Sequence, residues 1–192
     1  IISRDESIYE AFPDVVLTEN GRLICVFTEC MHHVDRHNAR IVYMISDDRG
    51  RSWTEKRALT ERSEDGRTAH NCARISRLSD GRIVIICDYV ELGETDPEKM
   101  PLKLWFSFDE GESWSEPFVI PGAHGIVPDR LVELSSGRWL VSAEYITSDS
   151  GKFGVYLWYS DDKGKTWSDR VTVASDRRYD LCESSLVEVQ PN

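Results

Sequence analysis

The chain has 192 residues, 40% hydrophobic and 30% charged, a size and composition that give a globular core and exclude a disordered chain. With 34 acidic against 23 basic residues its formal net charge is -11, and no clustered Lys/Arg stripe offsets it, so a nucleic-acid partner is not expected. No stretch approaches the roughly 20 consecutive apolar residues of a membrane helix. The longest apolar run, Ile83 to Cys87, has strand length, and no membrane partner is expected.

In chain order the sequence divides into repeating units. The first, about 9–62, reads as strands Phe12 to Leu17, Arg22 to Thr28 and Arg40 to Ser46, a tight turn, and a fourth strand Lys56 to Leu59. The second, about 68–121, gives Cys72 to Leu78, Arg82 to Asp88, Leu102 to Ser107 and Phe118 to Ile120. The third, about 124–175, gives Asp129 to Leu134, Arg138 to Tyr145, Val155 to Ser160 and Val171 to Val173. A further unit, 180–192, opens with a strand Glu183 to Val189. The first two strands of each full unit are joined by Asn20-Gly21, Asp80-Gly81 or Ser136-Gly137, which are hairpin turn chemistry.

The third and fourth strands are joined each time by one motif. Ser46-Asp47-Asp48-Arg49-Gly50-Arg51-Ser52-Trp53, Ser107-Phe108-Asp109-Glu110-Gly111-Glu112-Ser113-Trp114 and Ser160-Asp161-Asp162-Lys163-Gly164-Lys165-Thr166-Trp167 all read S-x-D-x-G-x-[ST]-W, with starts 61 and 53 residues apart. The aspartate can accept hydrogen bonds from the turn's own N–H groups, the glycine supplies a positive φ, and the tryptophan begins the next strand in the core. No twelfth-position acid follows, which speaks against a calcium loop. Four antiparallel strands repeated radially make a β-propeller, and the fold class expected is all-β. Three blades and one strand cannot close a ring, so the remaining blades are expected from the rest of a longer chain or from a second copy.

These boxes resemble the Asp-box (BNR) repeats of the sialidase superfamily, and the resemblance covers almost the whole chain. It implies a six-bladed propeller acting on glycans, a sialidase-like exo-glycosidase. The family's opening motif, an aromatic residue followed by R-I-P, matches Ala11-Phe12-Pro13, with Ala11 where the family has the first of its three carboxylate-binding arginines. The substrate implied therefore need not be sialic acid. The resemblance makes Asp35, eleven residues before Ser46, the general acid, and Glu183 the partner of a tyrosine nucleophile that would follow Asn192. It leaves open a non-catalytic glycan-binding propeller. It also leaves open a polysaccharide lyase with His32, His33, His70 or His124 as base.

The starts of the inner strands and the loops after the second strands face the axis, where binding is expected. The substrate-binding candidates are Asp14, His33, Arg36, His70, Arg74, Asp129, Arg130, Glu144 and Tyr145. Arg74 and Arg130, which share Asp14's position counted back from the turn glycine, are candidates to replace the missing arginine or to pair with neighbouring acids. His32, His33, His37 and Asp35 lack a rigid ligand spacing, so no metal and no cofactor is expected. The five cysteines, Cys25, Cys30, Cys72, Cys87 and Cys182, are odd in number and unpatterned. They read as buried free thiols and slightly favour a cytoplasmic location, with secretion left open.

Overall fold

The computed structural model describes residues 1–33, 38–147 and 150–190, apart from the side chain of Pro97. Twelve strands form three four-stranded antiparallel sheets, each in sequential order. Blade 1 holds β1 (Tyr9–Leu17), β2 (Leu23–Cys30), β3 (Arg40–Ser46) and β4 (Arg57–Ala58). Blade 2 holds β5 (Thr68–Arg77), β6 (Ile83–Glu91), β7 (Pro101–Ser107) and β8 (Phe118–His124), with one 3-10 turn at Pro97–Lys99. Blade 3 holds β9 (Val132–Glu133), β10 (Trp139–Ile146), β11 (Phe153–Ser160) and β12 (Val171–Ala174). The chain is an all-β propeller segment, and no helix among the described residues is long and apolar enough to cross a membrane.

The apolar run Ile83 to Cys87 shows why the blades stack. Strand side chains alternate between the two faces of a sheet. Ile83, Ile85 and Cys87 pack with Ile24, Val26 and Ile41 of blade 1, while Val84 and Ile86 pack with Val141, Tyr156 and Trp158 of blade 3. A strand covered on both faces is apolar at every position rather than at alternate ones. Blade 1's other face carries a smaller cluster of Cys25, Phe27, Val42 and Met44.

The three boxes fold alike. Asp48 accepts from the N–H groups of Arg51 (2.9 Å) and Ser52 (2.8 Å), and from the hydroxyls of Ser46 (2.8 Å) and Ser52 (2.6 Å). Asp109 and Asp162 repeat the bonds to the residue four ahead, and Ser46, Ser107 and Ser160 each accept from the box glycine's N–H at 2.8 Å. Donors converging on a carboxylate favour its charged form. The hydroxyl and N–H of Ser52 hold Asp48 at a pKa of about 2, and those of Thr166 do the same for Asp162. The glycine is needed: its φ is +84° at Gly111, where an added Cβ would lie 2.6 Å from Ile24 Cδ1.

Three sequence expectations need amendment. The first strand of blade 3 is shorter than Asp129 to Leu134, because the chain bulges before Val132. Leu140 faces Val132 while Ser142 accepts from Asp129 N–H, so one extra residue lies on the inner strand. The outermost strand of blade 1 is only Arg57–Ala58. Among the described residues Glu183 to Val189 forms no strand, and Val187 and Val189 are exposed.

Candidate functional site

Four residues at equivalent places along the inner side of successive blades share one backbone conformation. Phe12, Cys72, Val127 and Glu183 have φ of 55, 50, 48 and 56°, a left-handed conformation that costs a non-glycine residue about 1–3 kcal/mol. In β1 and β5 the pairing register slips there, between Ala11 and Asp14 and between Asn71 and Arg74. At three of the four the strain is supported across blades. Thr28 Oγ1 accepts from Cys72 N–H (3.2 Å), Asp88 Oδ2 from Val127 N–H (3.0 Å), and Glu144 Oε2 from Glu183 N–H. These acceptors occupy one position, near the end of the second strand of each blade.

All four strained residues line one axial cleft of about 370 Å³, together with His33, Arg74, Ile126 and Glu144. Strain concentrated on the wall of one cleft is characteristic of functional sites, where rigid backbone aims side chains. Arg74 reaches no carboxylate among the described residues, and its guanidinium donates only to Ala73 O, at 3.3 Å. His33 Nδ1 lies 3.2 Å from the Tyr9 hydroxyl, and its ring packs on Phe12. Burial pushes the Glu144 carboxyl above the ordinary carboxylate range, opposed by the Glu183 N–H. The cleft thus combines a guanidinium, two glutamates and an aromatic wall.

Of the sequence candidates, the structure brings His33, Arg74, Glu144 and Glu183 together. Asp35 and Arg36 lie outside the described residues. Asp14 and Asp129 join blades: Asp14 Oδ2 accepts from Ile75 N–H at 3.0 Å, and Asp129 Oδ2 accepts from Leu186 N–H. Asp129, rather than Arg130, is therefore the structural counterpart of Asp14 and Arg74, because the extra residue of blade 3 shifts the count from the turn glycine. Arg130 pairs with Asp14 across two blades (2.9 Å). Tyr145 is buried, stacked on Tyr156 with ring centroids 4.1 Å apart, and its hydroxyl accepts from Arg170. His70 faces a different cleft, described below. Sequence reasoning did not single out Phe12, Cys72 and Val127, whose common feature is backbone conformation rather than chemistry.

The acid Glu144 gives a pH prediction. Its folded pKa lies above the unfolded value, so the folded state holds the proton more tightly, and the group's contribution to stability declines as pH rises through that window. Glu144→Gln, whose amide oxygen can still accept the Glu183 N–H, is expected to raise the melting temperature at pH 7 and leave it nearly unchanged at pH 4. Calorimetry at the two pH values measures this.

No family model matches the sequence, and no curated protein matches it. Solved structures do resemble it. A Hadza microbial sialidase matches with a TM-score of 0.69 at 21% identity, over 82% of this chain and 36% of that one. A Dyadobacter fermentans protein of unknown function matches with a TM-score of 0.71 at 24% identity, over 92% and 58%. A family 117 glycoside hydrolase of Zobellia galactanivorans matches with a TM-score of 0.65 at 13% identity, over 88% and 57%. At these identities the likeness shows a shared propeller fold. The chain spans between about a third and three-fifths of these structures.

Proposed function

We propose that the protein is a glycan-acting glycoside hydrolase, an exo-glycosidase of sialidase-like design, which binds its substrate in the axial cleft. The observation that carries this reading is the convergence of Arg74, Glu144, Glu183 and His33 on a cleft walled by four strained residues. Such an arrangement fixes polar groups at a rigid, concave site. The resemblance of the boxes to Asp-box repeats and the glycoside hydrolases among the structural neighbours support it. In this reading Asp35 protonates the leaving oxygen, and Glu183 polarises a tyrosine hydroxyl that attacks the anomeric carbon, an exception to the paired-carboxylate scheme. Ala11 lines a separate apolar cleft with Ile1, Ile2, Cys25 and Phe27. A substrate carboxylate would then rely on Arg74 rather than on that position. The blades that close the ring come from a longer chain or a second copy.

The test is a panel of fluorogenic glycosides on the full-length protein beside Asp35→Asn. Hydrolysis of one glycoside, slowed in the variant, is expected. No activity on any glycoside, together with retained glycan binding, would favour a carbohydrate-binding propeller instead. The Arg74 guanidinium on the cleft wall favours that second reading, since it can bind a carboxylate without catalysis.

A further inference from the structure

A second cleft, of about 480 Å³, opens where the outer parts of blades 1 and 2 splay apart. It shares no lining residue with the axial cleft. At its head Lys103 Nζ lies 3.1 Å from His70 Nε2 and 3.6 Å from the centre of the Tyr89 ring. Tyr43, Trp105 and Trp114 form its aromatic wall, with Tyr43 and Trp114 in edge contact at 5.7 Å. In a chain with 34 acidic and 23 basic residues, Lys103 has no carboxylate partner among the described residues. Burial depresses the Lys103 ammonium and, with Lys103 beside it, holds His70 at a pKa of about 4, so the imidazole accepts from the ammonium at neutral pH. An ammonium has three donors, and His70 takes one.

The neighbouring pair of blades shows what fills this place when it is closed. Lys103 sits opposite Cys87, and its counterpart in blade 3 is Tyr156, opposite Ala143. There Arg170 covers the Tyr145 and Tyr156 rings, 5.5 and 4.9 Å from their centres, and bonds the Tyr145 hydroxyl. Arg170 stands three residues after its box tryptophan; the same position in blade 2 is Pro117, on the rim of the open cleft. The cleft between blades 1 and 2 therefore holds a cation at its head and an aromatic wall, with Glu61 and Glu116 also in its lining, and lacks the side chain that closes its equivalent.

We infer that this cleft is a second binding site, independent of the proposed catalysis, for a small carboxylate carried on a ring, such as an acidic monosaccharide. Lys103 pairs with the carboxylate and the ring lies against Trp114, the less buried of the two indoles, with Trp105 behind it. The volume falls within the roughly 300–1,000 Å³ usual for small-ligand sites, and a charge-assisted bond to a half-buried ammonium supplies orientation.

Calorimetric titration of the full-length protein tests it, in an Arg74→Ala background that removes the axial cation. Sodium D-glucuronate, sodium benzoate and D-glucose are the probes. Saturable binding of a carboxylate but not of glucose is expected, weakened about tenfold or more by Lys103→Met and kept by Lys103→Arg. Response to glucuronate alone identifies an acidic sugar; response to benzoate as well identifies ring carboxylates in general. Lack of carboxylate binding, equal binding of glucose, or indifference to Lys103→Met would overturn the inference. Should Lys103→Met fail to fold, the unsubstituted protein serves. Reductive methylation of Lys103, followed by mass spectrometry, is expected to slow several-fold under saturating carboxylate, and an unchanged rate would count against the site.

Discussion

Changing Glu183 to glutamine in the full-length protein is expected, on the proposed glycoside-hydrolase reading, to lower turnover by about 10²–10⁴-fold, the range for loss of a positioned acid–base group, with KM and melting temperature little changed. The backbone argument explains why the loss should fall on kcat. Among the described residues, the segment from Glu183 to Leu186 pairs with no strand. It is held instead by three bonds from blade 3: Glu144 to Glu183 N–H, Ser142 to the Ser184 hydroxyl (3.0 Å) and Asp129 to Leu186 N–H. None of these uses the Glu183 side chain, so an isosteric amide leaves the support intact. What it removes is the carboxylate of a residue that lines the cleft and whose φ is 56°. Steady-state kinetics with a parallel melt decides the matter. An unchanged kcat would remove Glu183 from the mechanism, and a lowered melting temperature would make its role structural.

That pinning also shows which parts of the site were legible in the sequence. The boxes carry their own chemistry, since an aspartate, a glycine and two hydroxyls at fixed spacing can satisfy one another within a single turn. Their repetition conveys the blades and the order of the strands. The left-handed positions have no such signal, because Phe12, Cys72, Val127 and Glu183 share a backbone conformation, which for the last three is held by an acceptor on the neighbouring blade. The supporting acceptors are equally varied, being Thr28, Asp88 and Glu144. A bulge also breaks the alternation of a strand, so the faces of residues beside it cannot be counted from the turn. His70, two residues before Cys72, consequently faces the outer cleft while Arg74, two residues after it, faces the axis. The extra residue in blade 3 has the same effect, moving Asp129 into the place the count gave to Arg130.

The second large effect is expected at Glu29, which occupies in blade 1 the place that Tyr89 and Tyr145 occupy in the others. Its side chain is only 3% exposed and meets three cations: Lys56 at 2.7 Å, Arg40 at 2.8 Å and Arg62 at 3.2 Å. Burial alone would raise its pKa, but the bonds from Lys56 and Arg40 outweigh it and hold the carboxyl below its ordinary value. Truncation removes the acceptor and leaves the cations facing one another, with Lys56 retaining Glu10 at 3.0 Å. Glu29→Ala is therefore expected to destabilise the fold by about 3–5 kcal/mol, the usual result of breaking a buried pair from one side. Glu29→Gln, which keeps the shape and one acceptor oxygen, should cost less. The sign of the pH dependence follows from the depressed pKa: the stabilisation is complete above the unfolded value near 4.5 and is lost as pH falls through the folded one. Denaturant unfolding of the two variants at pH 7 and pH 4 should show the gap to the unsubstituted protein narrowing in acid. A gap within about 1 kcal/mol at pH 7 would mean that the three cations are solvated well enough to manage without the carboxylate, as exposed pairs are.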